Sequence, residues 1–203
     1  RDTSGMYIPY GDIYWDGSGG IHWKDPRIRA CGYAWIQKVQ EPKDEFDCIG
    51  EYASLTGHQT VARAELSAGV IFLRFLLEQN VVGDHQCWTD NSAVFKGYSR
   101  GGAYTFTSSM APLWHEFWTL HKEVVERGWG FSVHKVKAHT SKRQVEEGIV
   151  DPVHKDGNHR ADHWAGEGAK LNEAHWTMVN DLKWTDGNTT NIQKRLIAVV
   201  QHF

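Results

Sequence analysis

Between residues 62 and 79, apolar side chains recur at Leu66, Val70, Leu73 and Leu77. That three-and-four spacing lines one face of a helix, so the pattern predicts a helix over 62–79. A second stripe, Leu113, Phe117, Leu120 and Val124, predicts a helix over 112–127; Pro112 falls in its first turn, where a missing N–H costs nothing. Shorter runs rich in β-branched and aromatic residues read as strands at 13–16, 30–39, 48–55, 87–89 and 131–138. Turn formers separate the early ones: Gly17-Ser18-Gly19-Gly20, Asp25-Pro26 and Glu41-Pro42-Lys43-Asp44-Glu45. Residues 92–98 predict a short helix broken at Gly101-Gly102, and 159–171 a helix capped by Asn158. Residues 140–156 read as a polar, charged insertion, and 191–201 as a helix with Ile192, Leu196, Ile197 and Val200 on one side. Three successive strands with short connections favour an antiparallel meander. The order strands, helix, strand, helices, strand, helix is that of a mixed α/β domain.

A chain of 203 residues suffices for one sizeable core and is short for two. No window carries the apolar run needed to cross a bilayer, and the first residues lack the apolar stretch of a secretory signal. The expected setting is therefore intracellular, cytoplasmic or nuclear, with no membrane partner. Cys31, Cys48 and Cys87 are scattered over strand-like runs, which fits reduced thiols better than a disulfide frame or a zinc site. In such a setting Asn188-Thr189-Thr190 reads as a polar turn rather than a glycosylation site. The formal charge of −3 is not that of a non-specific nucleic-acid binder. Carboxylates gathered around cations add negative charge of their own, however, so the balance does not exclude nucleic acid. Ten tryptophans could offer stacking platforms, but Trp114 and Trp118 stand four apart in a periodic segment, where core packing is the simpler expectation.

Four acidic residues fall where this architecture exposes side chains: Asp16 after the first strand run, Glu65 at the start of the first long helix, Asp90 after the 87–89 run and Asp162 in a late helix. Any one alone would be a solvated charge or a cap. Their contexts are more telling: YWDGSGG around Asp16, GHQTVARAEL around Glu65, TDNSAV around Asp90, VKAHTS around His139 and GNHRADHWA around Asp162. In this order, over roughly four-fifths of the chain, they resemble the ribonuclease H family of type 1.

The resemblance implies an α/β fold built on a ribonuclease H-like five-stranded mixed sheet. Strands one to three are antiparallel, parallel strands follow, and helices lie on both faces. It implies a catalytic domain over 1–171, with 172–203 as a C-terminal extension or linker holding one helix. Asp16, Glu65, Asp90 and Asp162 would hold two Mg²⁺, with Mn²⁺ as the alternative ion. His139 would assist proton transfer or product release. Gly17, Ser18, Gly19, Thr60 and Asn91 would contact the substrate. The implied reaction is endonucleolytic cleavage of the RNA strand of an RNA/DNA hybrid, giving 5′-phosphate and 3′-hydroxyl ends. The alternatives are a catalytically silent ribonuclease H-like domain and another nuclease of the superfamily. His159 and His163, four apart, have no third ligand and read as surface residues.

The chain also departs from the family pattern. Val61 and Ala62 stand where polar residues are common between Thr60 and Arg63-Ala64-Glu65, and residues 101–112 carry no Lys or Arg where a basic handle is usual. The wide spacing between His139 and Asp162 and the absence of an initiator Met resemble ribonuclease H domains cut from retroelement polyproteins. That implies a covalently linked reverse-transcriptase domain as partner.

Overall fold

Alternation along the first strand decides the layers. In β1 (Gly11–Ser18), Ile13 and Trp15 are buried in one cluster with Leu66, Phe72 and Leu73, while Tyr14 packs on the opposite face with Ile36 and Ala161. A strand buried on both faces must lie inside the sheet. The computed structural model describes residues 11–38, 48–137, 148 and 151–202. In it β1 pairs antiparallel with β2 (Gly32–Lys38), which pairs antiparallel with β3 (Cys48–Ser54). On its other side β1 runs parallel to β4 (Asp84–Thr89), itself parallel to β5 (Gly130–Lys135). The sheet order is β3-β2-β1-β4-β5, the expected mixed sheet.

α1 (Val61–Gln79) packs on β1, β2 and α4 (Ala111–Glu126), sharing their apolar cluster. α1 starts where Thr60 accepts a hydrogen bond from Arg63 N at 3.3 Å and stops at Asn80, whose φ of 52° is a left-handed cap. Between α1 and α4 lie β4, the short α2 (Ser92–Arg100) and a single turn, α3 (Gly102–Thr105). The opposite face is covered by α5 (Pro152–Lys170), whose buried side is made of small residues, Gly157, Ala161, Ala165, Gly168 and Ala169. A Cβ on Gly32 of β2 would stand 2.0 Å from Ala169 N, and one on Gly157 would stand 2.4 Å from the Tyr14 ring. The helix therefore lies almost backbone to backbone on the sheet, which fixes the height at which its polar residues stand.

Two expectations are corrected. α5 begins at Pro152, not at residue 159: Asp151 caps it by accepting from Val153 N at 2.7 Å, and Pro152 takes the first helical position. Asn158 is an interior helix residue, and the last part of the supposed insertion is helix; 140–147, 149 and 150 lie outside the described residues. The tail is one 27-residue helix, α6 (Trp176–His202), rather than a helix over 191–201. Of its residues only Val179 is buried. A forked ion pair from Arg27 to Asp186, 2.7 and 2.9 Å, ties α6 to the β1–β2 connection. Strand ends at Val39 and Ala138 and the turn at 41–45 also lie outside the described residues. No described helix is long and apolar enough to cross a membrane, and Cys31, Cys48 and Cys87 form no disulfide with one another.

Candidate metal centre

Parallel pairing of β1 and β4 brings their C-terminal ends together. Asp16 sits near the end of β1, and Asp90 directly follows Thr89, the last residue of β4. Glu65 reaches the same place from the second turn of α1 because Gly17 lets the helix approach. A Cβ on Gly17 would stand 2.5 Å from Glu65 N and 2.8 Å from Ala64 Cβ. One carboxylate oxygen each from Asp16, Glu65 and Asp90 then lies within 4.8 Å of the others. Asp16 is only 6% exposed and Glu65 2%.

Three carboxylates cannot share so dry a place as full anions without a counter-charge. Burial raises the Asp16 carboxyl to about 7, and the nearby charges of Asp90 and Asp162 push the same way, against hydrogen bonds from Glu65 and from Gly17 N. Glu65 is also held well above the ordinary range, first by burial and then by the Asp16 charge, while Thr89 Oγ1 donates to its Oε2 at 3.0 Å and opposes the rise. Without a cation the pair therefore keeps a proton near neutral pH. Oxygen-only donors at this spacing suit a hard divalent cation, and that charge would release the proton.

This proton has a measurable consequence. An unfolded chain gives it up near pH 3.8, whereas the folded one keeps it to about 7. The folded state thus binds more protons in between, and metal-free stability is fully present at the acidic end of that window and falls as pH rises through it. Each pH unit costs up to about 1.4 kcal/mol per proton. In chelator, the melting temperature should be higher at pH 5.5 than at pH 7.5, and saturating Mg²⁺ should flatten the difference. A metal-free protein more stable at pH 7.5 would contradict the buried trio.

The neighbouring side chains hold the acids in place. Asn158 of α5 donates from Nδ2 to Asp90 Oδ2 at 3.2 Å, and its own Oδ1 is buried without a hydrogen-bond partner among the described residues. Lys135 Nζ donates to the Asp90 carbonyl. None of the three supporting groups, Thr89, Asn158 and Lys135, is among the site residues expected from the sequence. For Asn158 the signal was its position four residues before Asp162, on the same helix face; for Thr89 it was adjacency to Asp90.

The other expected site residues divide. Asp162 is exposed on α5 and lies outside the close trio, although Asp16 feels its charge. Gly17 and Gly19 are places of close approach: a Cβ on Gly19 would stand 2.7 Å from Trp23 Cβ. Ser18 Oγ accepts from Gly20 N at 3.2 Å. Thr60 and Asn91 are helix caps, Asn91 Oδ1 accepting from Ala93 N at 2.9 Å and Val94 N at 3.2 Å. His139 lies outside the described residues.

No protein-family model matches the chain, and no curated protein matches it. Solved structures do. The prototype foamy virus protease-reverse transcriptase aligns over 78% of this chain with a TM-score of 0.57 and 18% identity, and the chain spans only 20% of that protein. The foamy virus ribonuclease H domain aligns over 79% of this chain and 94% of its own, with a TM-score of 0.58 and 17% identity. LC9-RNase H1, a type 1 ribonuclease H with the type 2 active-site motif, aligns over 82% and 75%, with a TM-score of 0.53 and 16% identity. At these identities the likeness is one of fold: the chain has the type 1 ribonuclease H fold.

Proposed function

From a ribonuclease H fold with a buried Asp/Glu/Asp group at the ends of its central strands, we propose that the chain is a metal-dependent endonuclease cutting the RNA strand of RNA/DNA hybrids. The observation that carries this reading is the meeting of Asp16, Glu65 and Asp90 oxygens within 4.8 Å. These three, with Asp162 on the outer side, would hold two divalent cations, Mg²⁺ or Mn²⁺. Such ions, when bound, lower the pKa of a water and offset the charge that grows on the departing 3′ oxygen.

The chain's own groups then orient and bind. Gly17 N holds Asp16 Oδ1 at 2.7 Å, and Thr89 and Asn158 fix one oxygen each of Glu65 and Asp90, so the carboxylates are set before substrate arrives. Gly17, Ser18 and Gly19 offer close-lying backbone to the scissile strand. The Asn91 cap uses Oδ1, so Nδ2 would be the group offered to a ribose hydroxyl. Thr60 would contact a phosphate of the DNA strand. Residues 1–171 form the catalytic unit in this reading and 172–203 an extension, with a covalently linked reverse-transcriptase domain supplying further affinity.

His139 would assist proton transfer or product release. A group that assists without being essential contributes at the low end of acid-base catalysis, so His139→Ala should lower kcat on the order of 10- to 100-fold with hybrid affinity unchanged. Total inactivity, or a collapse in hybrid affinity, would refute this role. The whole reading is tested by incubating the protein with labelled RNA/DNA, RNA/RNA and DNA/DNA duplexes, with and without Mg²⁺. Loss of RNA from the hybrid alone, and only with metal, is expected. Metal-independent cleavage, or no cleavage of the hybrid, would overturn it.

A further inference from the structure

Beside the carboxylates the β1–β2 connection holds an exposed tryptophan that the chemistry above does not use. Trp23 is 56% exposed, Ile21 69% and Val61 36%. Gly19 lies beside Trp23 and Val61, since a Cβ there would stand 2.7 Å from Trp23 Cβ and 3.3 Å from Val61 Cγ2. Val61 in turn lies one helical turn before Glu65, on the same face of α1. Asp16 and Gly19 are three residues apart, on the order of 10 Å at full extension. A duplex groove is of that order of width, so a duplex whose backbone lies at Asp16 comes within reach of Trp23.

The backbone that carries the ring is braced. Arg29 Nε donates to the Trp23 carbonyl at 2.7 Å, and Arg29 Nη1 to the Gln59 carbonyl at 3.2 Å, which braces this connection against the segment leading into α1. Arg27 reaches Asp25 of the same connection and Asp186 of α6. Lys24 Nζ lies 5.2 Å from the centre of the Trp23 ring, so an apolar face and a positive charge are presented together. Sugar faces flanked by phosphates match that pair of features.

We propose that Trp23, with Val61 beside it, is a substrate-binding residue that packs against the sugar edges of the bound duplex, with Lys24 next to a phosphate. The inference rests on the proposed nuclease function and adds to it a mode of grip. Apolar packing here takes the place of hydrogen bonding at positions 61 and 62, and it does not read the 2′-hydroxyl. The grip should therefore be nearly blind to sugar type, leaving discrimination of RNA to the groups around the carboxylates.

The test is Trp23→Ala, with Trp23→Phe as the conservative variant. The brace uses the Trp23 carbonyl, which alanine keeps, so an unchanged melting curve is expected. A base stacked on an aromatic side chain is worth a factor of about 5 to 100 in affinity by alanine substitution, and a ring packed on sugar edges is expected toward the lower part of that range. Trp23→Ala should raise KM for hybrid cleavage about tenfold with little change in kcat, and Trp23→Phe should restore most of the loss. With Asp90→Asn to prevent turnover, Kd at one fixed salt should rise by the same factor for hybrid and for DNA duplex. Unchanged KM and Kd in a folded Trp23→Ala protein would overturn the inference, as would a loss in kcat alone or a loss confined to the hybrid. A wild-type protein that fails to cut the hybrid would instead overturn the proposed function.

Discussion

Asp16→Asn and Asp90→Asn should each lower hybrid cleavage by about a thousandfold or more while leaving the fold intact. Each change keeps side-chain volume and removes one of the three charges whose oxygens meet within 4.8 Å. Losing several kcal/mol of charge stabilisation at the reacting phosphate corresponds to at least three decades in rate. The same change acts oppositely on the metal-free protein. Asp16 is raised to about 7 by burial and by the charges of Asp90 and Asp162, so an amide there relieves desolvation and repulsion together. Melting in chelator at pH 7.5 should therefore rise for Asp16→Asn, while Mg²⁺ should stabilise it less than it does the wild type. Near-normal turnover at saturating Mg²⁺ would remove the carboxylates from the mechanism. An unfolded variant would show that Asp16 is structural first.

Gly32→Val should destabilise the protein by about 3 kcal/mol or more, because its first added carbon would stand 2.0 Å from Ala169 N and 2.3 Å from Gly168 C. Those are backbone atoms of α5, which cannot rotate aside as a flexible side chain can. The helix would have to lift from β2, carrying Asn158 away from Asp90 and Asp162 away from Asp16. The variant should thus show both a lower denaturant midpoint and weaker Mg²⁺ binding. Gly187→Ala in α6 is the control: a Cβ there meets nothing within 4 Å, and in a helix interior alanine gains roughly 0.5–1 kcal/mol over glycine. Equal stability of Gly32→Val and wild type in urea would contradict the close packing of α5 on the sheet.

Much of this arrangement was legible in the residues. The α1 stripe at Leu66, Val70, Leu73 and Leu77 placed Glu65 near a helix start, and short apolar runs ending near Asp16 and Asp90 placed those acids at strand ends. What escaped was of two kinds. Local signals competed at α5: Gly157-Asn158 resembles a helix start, yet Asp151-Pro152 is the stronger one, and small residues at 157, 161, 165 and 168 mark a packing face instead. In α6, Gly187-Asn188-Thr189-Thr190 has poor helix propensity, which hid the continuity of Trp176–His202. The second kind was long-range. The Asn158 to Asp90 hydrogen bond spans 68 residues of sequence, and the Arg27 to Asp186 pair spans 159. Asp162 was named from its motif; what the motif does not carry is that packing of α5 leaves it exposed, with its charge felt at Asp16.

The end groups of the cut RNA test the central claim most directly. Attack of water on phosphorus, which cations held by Asp16, Glu65 and Asp90 would favour, would expel the 3′ oxygen, whereas a nuclease that uses a side-chain base on the ribose 2′-hydroxyl passes through a cyclic phosphate. A hybrid labelled along its RNA strand and digested in Mg²⁺ should yield fragments with 5′-phosphate and 3′-hydroxyl ends, its DNA strand intact. Fragments ending in 2′,3′-cyclic phosphate, or cuts in the DNA strand, would contradict hydrolysis of RNA at Asp16, Glu65 and Asp90.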